Sequence, residues 1–242
     1  MHLDALEAAL EPFIANGSLA DVLYPIKSGK EATVYCCRGG PRLDGALVAA
    51  KVYKPRTGRS FHNDAIYREG RVILDRRAAR AAAKRTRFGR EVASAVWTNH
   101  EWQTLVRLHA AGADVPRPLA CAEGAILLEY IGDEQGPAPA LKDVRLGTEA
   151  ATAVFDRLLD NVQLWLAYDV VHADLSAYNV LYWQERPVVI DFPQAANPRT
   201  NPNAFDLLAR DLDNLSRYFA RCGVERSAWT LASEFWERYE RP

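Results

Sequence analysis

Residues 172–194 hold the pattern that most restricts what this chain can fold into. His172-Ala173-Asp174-Leu175-Ser176-Ala177-Tyr178-Asn179 reads as a polar loop, and short apolar runs near 180–183 and 187–190 read as strands that lead to Asp191. Asp174 and Asn179 stand five residues apart, and Asp191 follows Asn179 by twelve. An Asp and an Asn at this spacing, then a second Asp after a hydrophobic strand, suit phosphoryl-transfer chemistry. The first Asp can accept or orient a proton, while the Asn and the second Asp hold magnesium on nucleotide phosphates. Such chemistry needs positioning and charge neutralisation more than covalent participation, so two carboxylates and an amide go far.

The 242 residues leave room for one large domain or two small lobes around a cleft. Hydrophobic residues make up 49% and charged residues 25%, the balance of an ordinary soluble enzyme. The formal net charge of −1 hides an uneven distribution, since residues 51–90 carry 13 Lys or Arg against Asp64, Glu69 and Asp75. Cys36, Cys37, Cys121 and Cys222 have neither CxxC nor zinc-ligand spacing, which points to reduced thiols. No apolar run reaches membrane-spanning length, and with Asp4, Glu7 and Glu11 interrupting the amino terminus no signal peptide is expected there. A cytoplasmic protein is expected.

Apolar spacing predicts a helix over 3–15 that closes at Asn16-Gly17, then strands at 21–26, 32–38 and 46–53. A helix is expected near 75–86 and a stronger one over 91–111. A buried strand at 125–131 runs into a loop through Pro139, the best hinge between lobes. A long core helix over 148–168 precedes the opening motif, and helices near 203–221 and 226–239 complete the chain. Sheet first and helices afterwards is an α+β order in two lobes, residues 1–131 and 132–242. Trp97, Trp102, Trp165, Trp229 and Trp236 are expected in cores or lobe packing.

Other segments supply what a nucleotide site requires. Lys51 at the end of Val48-Ala49-Ala50-Lys51 offers a cation for phosphates, and Glu101 in the following helix can pair with it. Ser28-Gly29-Lys30-Glu31-Ala32 turns into a strand; Gly29 lets backbone amides approach phosphates, and Lys30 adds charge or is simply solvated. No GxxxxGK[ST] run is present, which disfavours a Walker-type ATPase.

Together these segments resemble the RIO-type atypical protein kinases. Ser28 to Ala32 is similar to the family's phosphate loop. Residues 172–179 are similar to its catalytic loop, with Ala173 for Gly and Ala177 for Glu, and Ile190-Asp191-Phe192-Pro193-Gln194 is identical to one subfamily's metal loop. Trp97 with Glu101, Asn201-Pro202-Asn203-Ala204 and Arg210-Asp211-Leu212 resemble further family elements, Asn201 replacing a His. The resemblance covers roughly residues 24–221. It implies a two-lobed protein-kinase-like α+β fold with a small antiparallel-sheet N-lobe, a mainly helical C-lobe and a truncated activation segment. A compact form without an N-terminal winged helix is expected.

The activity it implies is that of an ATP-dependent serine/threonine kinase or ATPase using Mg2+ or Mn2+. Carried over by position, Asp174 is the catalytic Asp, Lys51 holds phosphates against Glu101, and Asn179 and Asp191 bind metal. Leu128 falls at the gatekeeper, Glu129 and Ile131 at the hinge, and Val34, Ala49 and Leu181 around adenine. Asp191 is also a candidate for acyl-phosphate formation. Ser176, two residues past the catalytic Asp, separates this family from ordinary kinases with Lys there and aminoglycoside-type phosphotransferases with His. Pro193 in place of the usual glycine disfavours a flipping metal loop.

His172 is read as a loop anchor, and Arg210 with Asp211 as braces of the catalytic loop from a helix. The basic segment 54–90 is either a solvated face or a contact for RNA or a ribosomal particle, with Arg76, Arg77, Arg80, Lys84 and Arg85 at its centre. No membrane or DNA partner is expected. Two rival readings stay open: a choline- or aminoglycoside-type small-molecule phosphotransferase, and an ATP-gated binding module on an RNA–protein particle.

Overall fold

The computed structural model of the chain describes residues 3–54 and 87–241. Helix α1 (Leu3–Ala15) ends as expected. Gly17 takes φ +75°, and the Ser18 N–H reaches back to the Phe13 carbonyl at 2.9 Å. Glycine enters that left-handed turn without Cβ strain. Leu10 and Phe13 on the inner face of α1 are almost fully buried.

Five strands form one antiparallel sheet: β1 (Leu19–Ser28), β2 (Ala32–Gly39), β3 (Leu47–Tyr53), β4 (Pro118–Ala122) and β5 (Ala125–Glu129), in the order β1-β2-β3-β5-β4. Register places Val34 opposite Lys51 and Ala49 opposite both Cys36 and Leu128. Cys37, Val48, Ala50, Val52, Ala125 and Leu127 pack with Leu10, Phe13 and Leu19 into one core. Burial there pushes the Cys37 thiol up to about 12. All four cysteines are free.

Two features of the sheet and its exit depart from the sequence expectation. Strand β4, short and opened by Pro118, has no counterpart among the expected strands. It lies at the edge of the sheet, where a missing N–H interrupts no ladder. The strand expected to reach residue 131 stops at Glu129, and a small hairpin of β6 (Gly132–Asp133) and β7 (Gly136–Pro137) follows.

Helix α2 (Arg87–Ala110) starts four residues ahead of its expected position. Thr98, Glu101, Thr104, Leu105 and Leu108 form its buried stripe, at the i, i+3, i+4 spacing of one helical face. Gly112, at φ +85°, ends it together with the 3.0 Å bond from the Ala113 N–H to the Leu108 carbonyl. The helix expected near 75–86 and most of the basic segment lie outside the described residues.

Contacts group the chain into two units. One takes α1, the sheet, α2 as far as Val106, and Pro116–Pro137; the other takes Arg107–Val115 and the residues from Ala138 onward. In the second unit α3 (Thr148–Ala167) buries Val154, Phe155, Leu158, Val162 and Trp165. Phe155 stacks on Phe219 of α4 (Ala204–Ala220) with ring centroids 4.5 Å apart. Strands β8 (Val180–Trp183) and β9 (Arg186–Val189) make a tight hairpin whose turn residues, Gln184 and Glu185, both have positive φ. That is the sign pattern of the turn whose twist matches its strands. Ser227 caps α5 (Ala228–Glu240), accepting from the Thr230 N–H at 3.3 Å. Trp229, expected in a core or in lobe packing, is 66% exposed and rests edge-on against Phe205.

Candidate active site

The residues expected to face phosphates lie in the sheet unit. Strand alternation turns Lys51 and Tyr53 of β3 to one face. The Lys51 Nζ donates to both carboxylate oxygens of Glu101, at 2.7 and 2.8 Å. Tyr53 donates its hydroxyl to the same carboxylate. Glu101 is 1% exposed and Lys51 8%, so the ion pair is a buried one whose carboxylate is held by several donors rather than a solvated contact.

At the β1–β2 turn the Gly29 N–H donates to the Ala32 carbonyl at 2.9 Å, and the Ser28 hydroxyl meets that of Thr33 at 3.1 Å. The Lys54 Nζ donates to the Gly29 carbonyl at 2.6 Å and to the Ser28 hydroxyl at 2.9 Å. Lys30 is exposed, and Val34 and Ala49 are half-buried on neighbouring strands. Leu128 is buried in β5, where the Glu129 N–H is spent on the Arg117 carbonyl at 2.8 Å. Ile131 is half-buried.

The residues expected to carry transfer and metal lie in the helical unit. The Asn179 Nδ2 donates to the Asp174 carbonyl at 2.9 Å and to its Oδ2 at 3.2 Å, so the amide group of Asn179 faces Asp174. Partial desolvation and the negative charge of Asp191 raise the Asp174 carboxyl above the usual range, against the pull of Arg210 and Asn179. Asp191 itself stands at φ +73°, a conformation that a non-glycine residue holds only where its surroundings enforce it. Leu181 is half-buried in β8 and bridges to Ala140.

Three residues hold these loops. His172 donates from Nε2 to the Ile190 carbonyl at 3.1 Å and accepts the Asp174 N–H on Nδ1 at 3.2 Å. That pair of bonds defines a neutral imidazole with its proton on Nε2. Its ring centroid lies 4.4 Å from that of Phe192, so the anchor reading stands. Asp211 accepts the N–H groups of Ala173 and Leu175 at 2.7 and 2.9 Å, and Arg210 donates to the Ala173 carbonyl. Both braces therefore act on backbone, as expected.

Tyr53, Lys54 and Asp114 are not among the residues that the sequence singles out. The signal for Tyr53 was its alternation with Lys51. Asp114 accepts from Arg157 at 2.5 and 3.0 Å and from Asn161 at 2.7 Å, linking the end of α2 to α3. Nothing in local spacing announces that contact.

A comparison with protein families matches residues 33–231 to the RIO domain. The chain belongs to the RIO family. The RIO-type serine/threonine-protein kinase Rio1 of Thermoplasma acidophilum is 33% identical over 179 residues, 74% of this chain and 88% of that protein. The serine/threonine-protein kinase RIO3 of Bos taurus is 29% identical, with 88% of this chain covering 41% of that longer protein. Among solved structures, the Rio2 kinase–ADP/Mg2+–phosphoaspartate complex from Chaetomium thermophilum superposes with a TM-score of 0.70 at 18% identity, over 96% of this chain and 67% of that one. The fold is thus that of the RIO kinases, a family of serine/threonine-protein kinases. Among the described residues no helix is long and apolar enough to cross a membrane.

Proposed function

We propose that this RIO-family chain binds Mg-ATP and transfers the γ-phosphate to a protein Ser or Thr, to itself or to water. The observation that carries the reading is the Asp174–Asn179 pair, with the charge of Asp191 felt at Asp174. Lys51, fixed by Glu101, would hold the phosphates. The Ser28–Lys30 turn would cover them, and the hinge would offer the Glu129 carbonyl and the Ile131 backbone to adenine beside Leu128.

The donor chemistry fits magnesium. Asp191 brings a carboxylate, and Asn179, whose Nδ2 is committed to Asp174, has its Oδ1 to offer; hard oxygen donors in small number are what this ion takes from proteins. Bound there, the ion would neutralise phosphate charge. Asp174 orients the acceptor hydroxyl and receives its proton as the new O–P bond forms and the β–γ bridging oxygen departs with ADP. Desolvation and the charge of Asp191, which raise its carboxyl, make it a better base than a free aspartate.

The Rio2 complex named above contains phosphoaspartate, which supports Asp191 as a transient phosphate acceptor. Hydroxylamine trapping during turnover should then modify Asp191, and unmodified Asp191 would count against the intermediate. For the function as a whole, labelled ATP should yield autophosphorylation or released phosphate, with RNA dependence scored in the same assay. Neither autophosphorylation nor released phosphate, together with phosphorylation of a small alcohol, would favour the small-molecule reading instead. A cytoplasmic location accords with this activity, and co-fractionation with membranes would contradict it.

A further inference from the structure

Tyr53 is 8% exposed, so its hydroxyl needs a partner within the protein. That partner is Oε2 of Glu101, which also accepts from Lys51 at 2.8 Å. A carboxylate withdrawn this far from water is stable only when its lone pairs are filled, and hydrogen bonds to a charged acceptor are about twice as strong as neutral ones. Lys51 by itself is a weak fixture: four rotatable bonds carry its ammonium, and a glutamate paired only to it could move with it. Tyr53 differs because a rigid ring on the same strand, two residues on, brings the second donor. Its ring centroid also lies 5.6 Å from the Lys51 Nζ, within reach of cation–π attraction.

We propose that Tyr53 is a positioning residue for phosphoryl transfer. Its hydroxyl locks the Glu101 carboxylate, and through it the Lys51 ammonium, in the transfer-ready arrangement before nucleotide arrives. The inference rests on the reading of Lys51 as the phosphate-holding cation. A cation already in place needs no reorganisation as charge develops on the phosphates, so the benefit falls on the transition state rather than on ATP binding.

The test is a double-mutant cycle of Tyr53→Phe and Glu101→Gln, because Tyr53→Phe keeps the ring and removes only the donor. Tyr53→Phe should lower kcat about tenfold while KM for ATP stays within about twofold. In the Glu101→Gln background the same change should cost less than about twofold, since there is no carboxylate left to position. Losses that multiply across the cycle, or a raised KM with unchanged kcat, would overturn the proposal. If the wild-type chain turns over no ATP, the failure belongs to the function proposed above. Urea unfolding of the same four proteins then decides: Tyr53→Phe should shift the midpoint at least twice as far beside Glu101 as beside Gln, and equal shifts would overturn it.

Discussion

The Asp211 carboxylate accepts the backbone N–H of Ala173 at 2.7 Å, and Ala173 stands at φ +68°. Asp211 is 2% exposed; burial pushes its carboxyl up to about 8, against the two backbone amides and Arg210 that favour the charged form. An L-residue in that left-handed region costs about 1–2 kcal/mol. The clamp from Asp211 and Arg210 therefore holds a strained peptide directly before Asp174. Ala173→Gly should relieve the strain and raise stability by about 1 kcal/mol, seen as a higher urea midpoint. A lower midpoint would show that the alanine methyl contributes packing that outweighs the strain.

Asp174→Ala removes the proposed proton acceptor and leaves Lys51, Glu101 and the Ser28–Lys30 turn in place. Turnover should fall on the order of 10²–10⁴-fold, while ATP binding measured by calorimetry stays within a few-fold of wild type. Equal turnover by the two proteins would remove Asp174 from its role.

Lys54 ties the phosphate-loop turn through Gly29 and Ser28. Lys54→Met should loosen that turn and weaken ADP binding roughly three- to tenfold, leaving adenosine affinity unchanged, because only the phosphates meet the loop. Calorimetry with both ligands separates the cases, and an equal loss for adenosine would point to a general disturbance of the sheet.

Desolvation would raise the Asp114 carboxyl, but its bonds from Arg157 and Asn161 prevail and hold it below the usual range. A folded-state value below the unfolded one means that the stabilisation is present above about pH 4 and is lost as the pH falls through the folded value. Asp114→Asn should therefore destabilise by about 1–2 kcal/mol at pH 7, discounted for the partly exposed arginine. The gap from wild type should close in acid, as urea unfolding at a series of pH values would record. A gap that persists unchanged at pH 3 would mean that the contact acts by shape and not by charge.

Much of the site was legible because its parts are short-range. Asp174 and Asn179 lie within one loop, the 180–190 hairpin follows from alternating apolar residues, and the bracing by Arg210 and Asp211 was read from their place on a helix. Strand β4 was not legible, since five residues beginning with proline give too little periodicity. Trp229 was misplaced because a large aromatic residue at helical spacing resembles core, and only the packing of α4 and α5 shows that its outer face meets solvent.

Local chemistry, then, was determined along the chain: which segments carry the lysines and acids, which loops hold the carboxylates, and the order of sheet before helices. These depend on spacings of a few residues, which backbone geometry translates directly. Tertiary structure alone decided that Tyr53 joins Lys51 on Glu101, 48 residues away, and that Asp211 clamps Ala173 across 38. Such bonds form only where packing has expelled water and left a polar group one remaining partner, and no spacing along the chain records which partner that is.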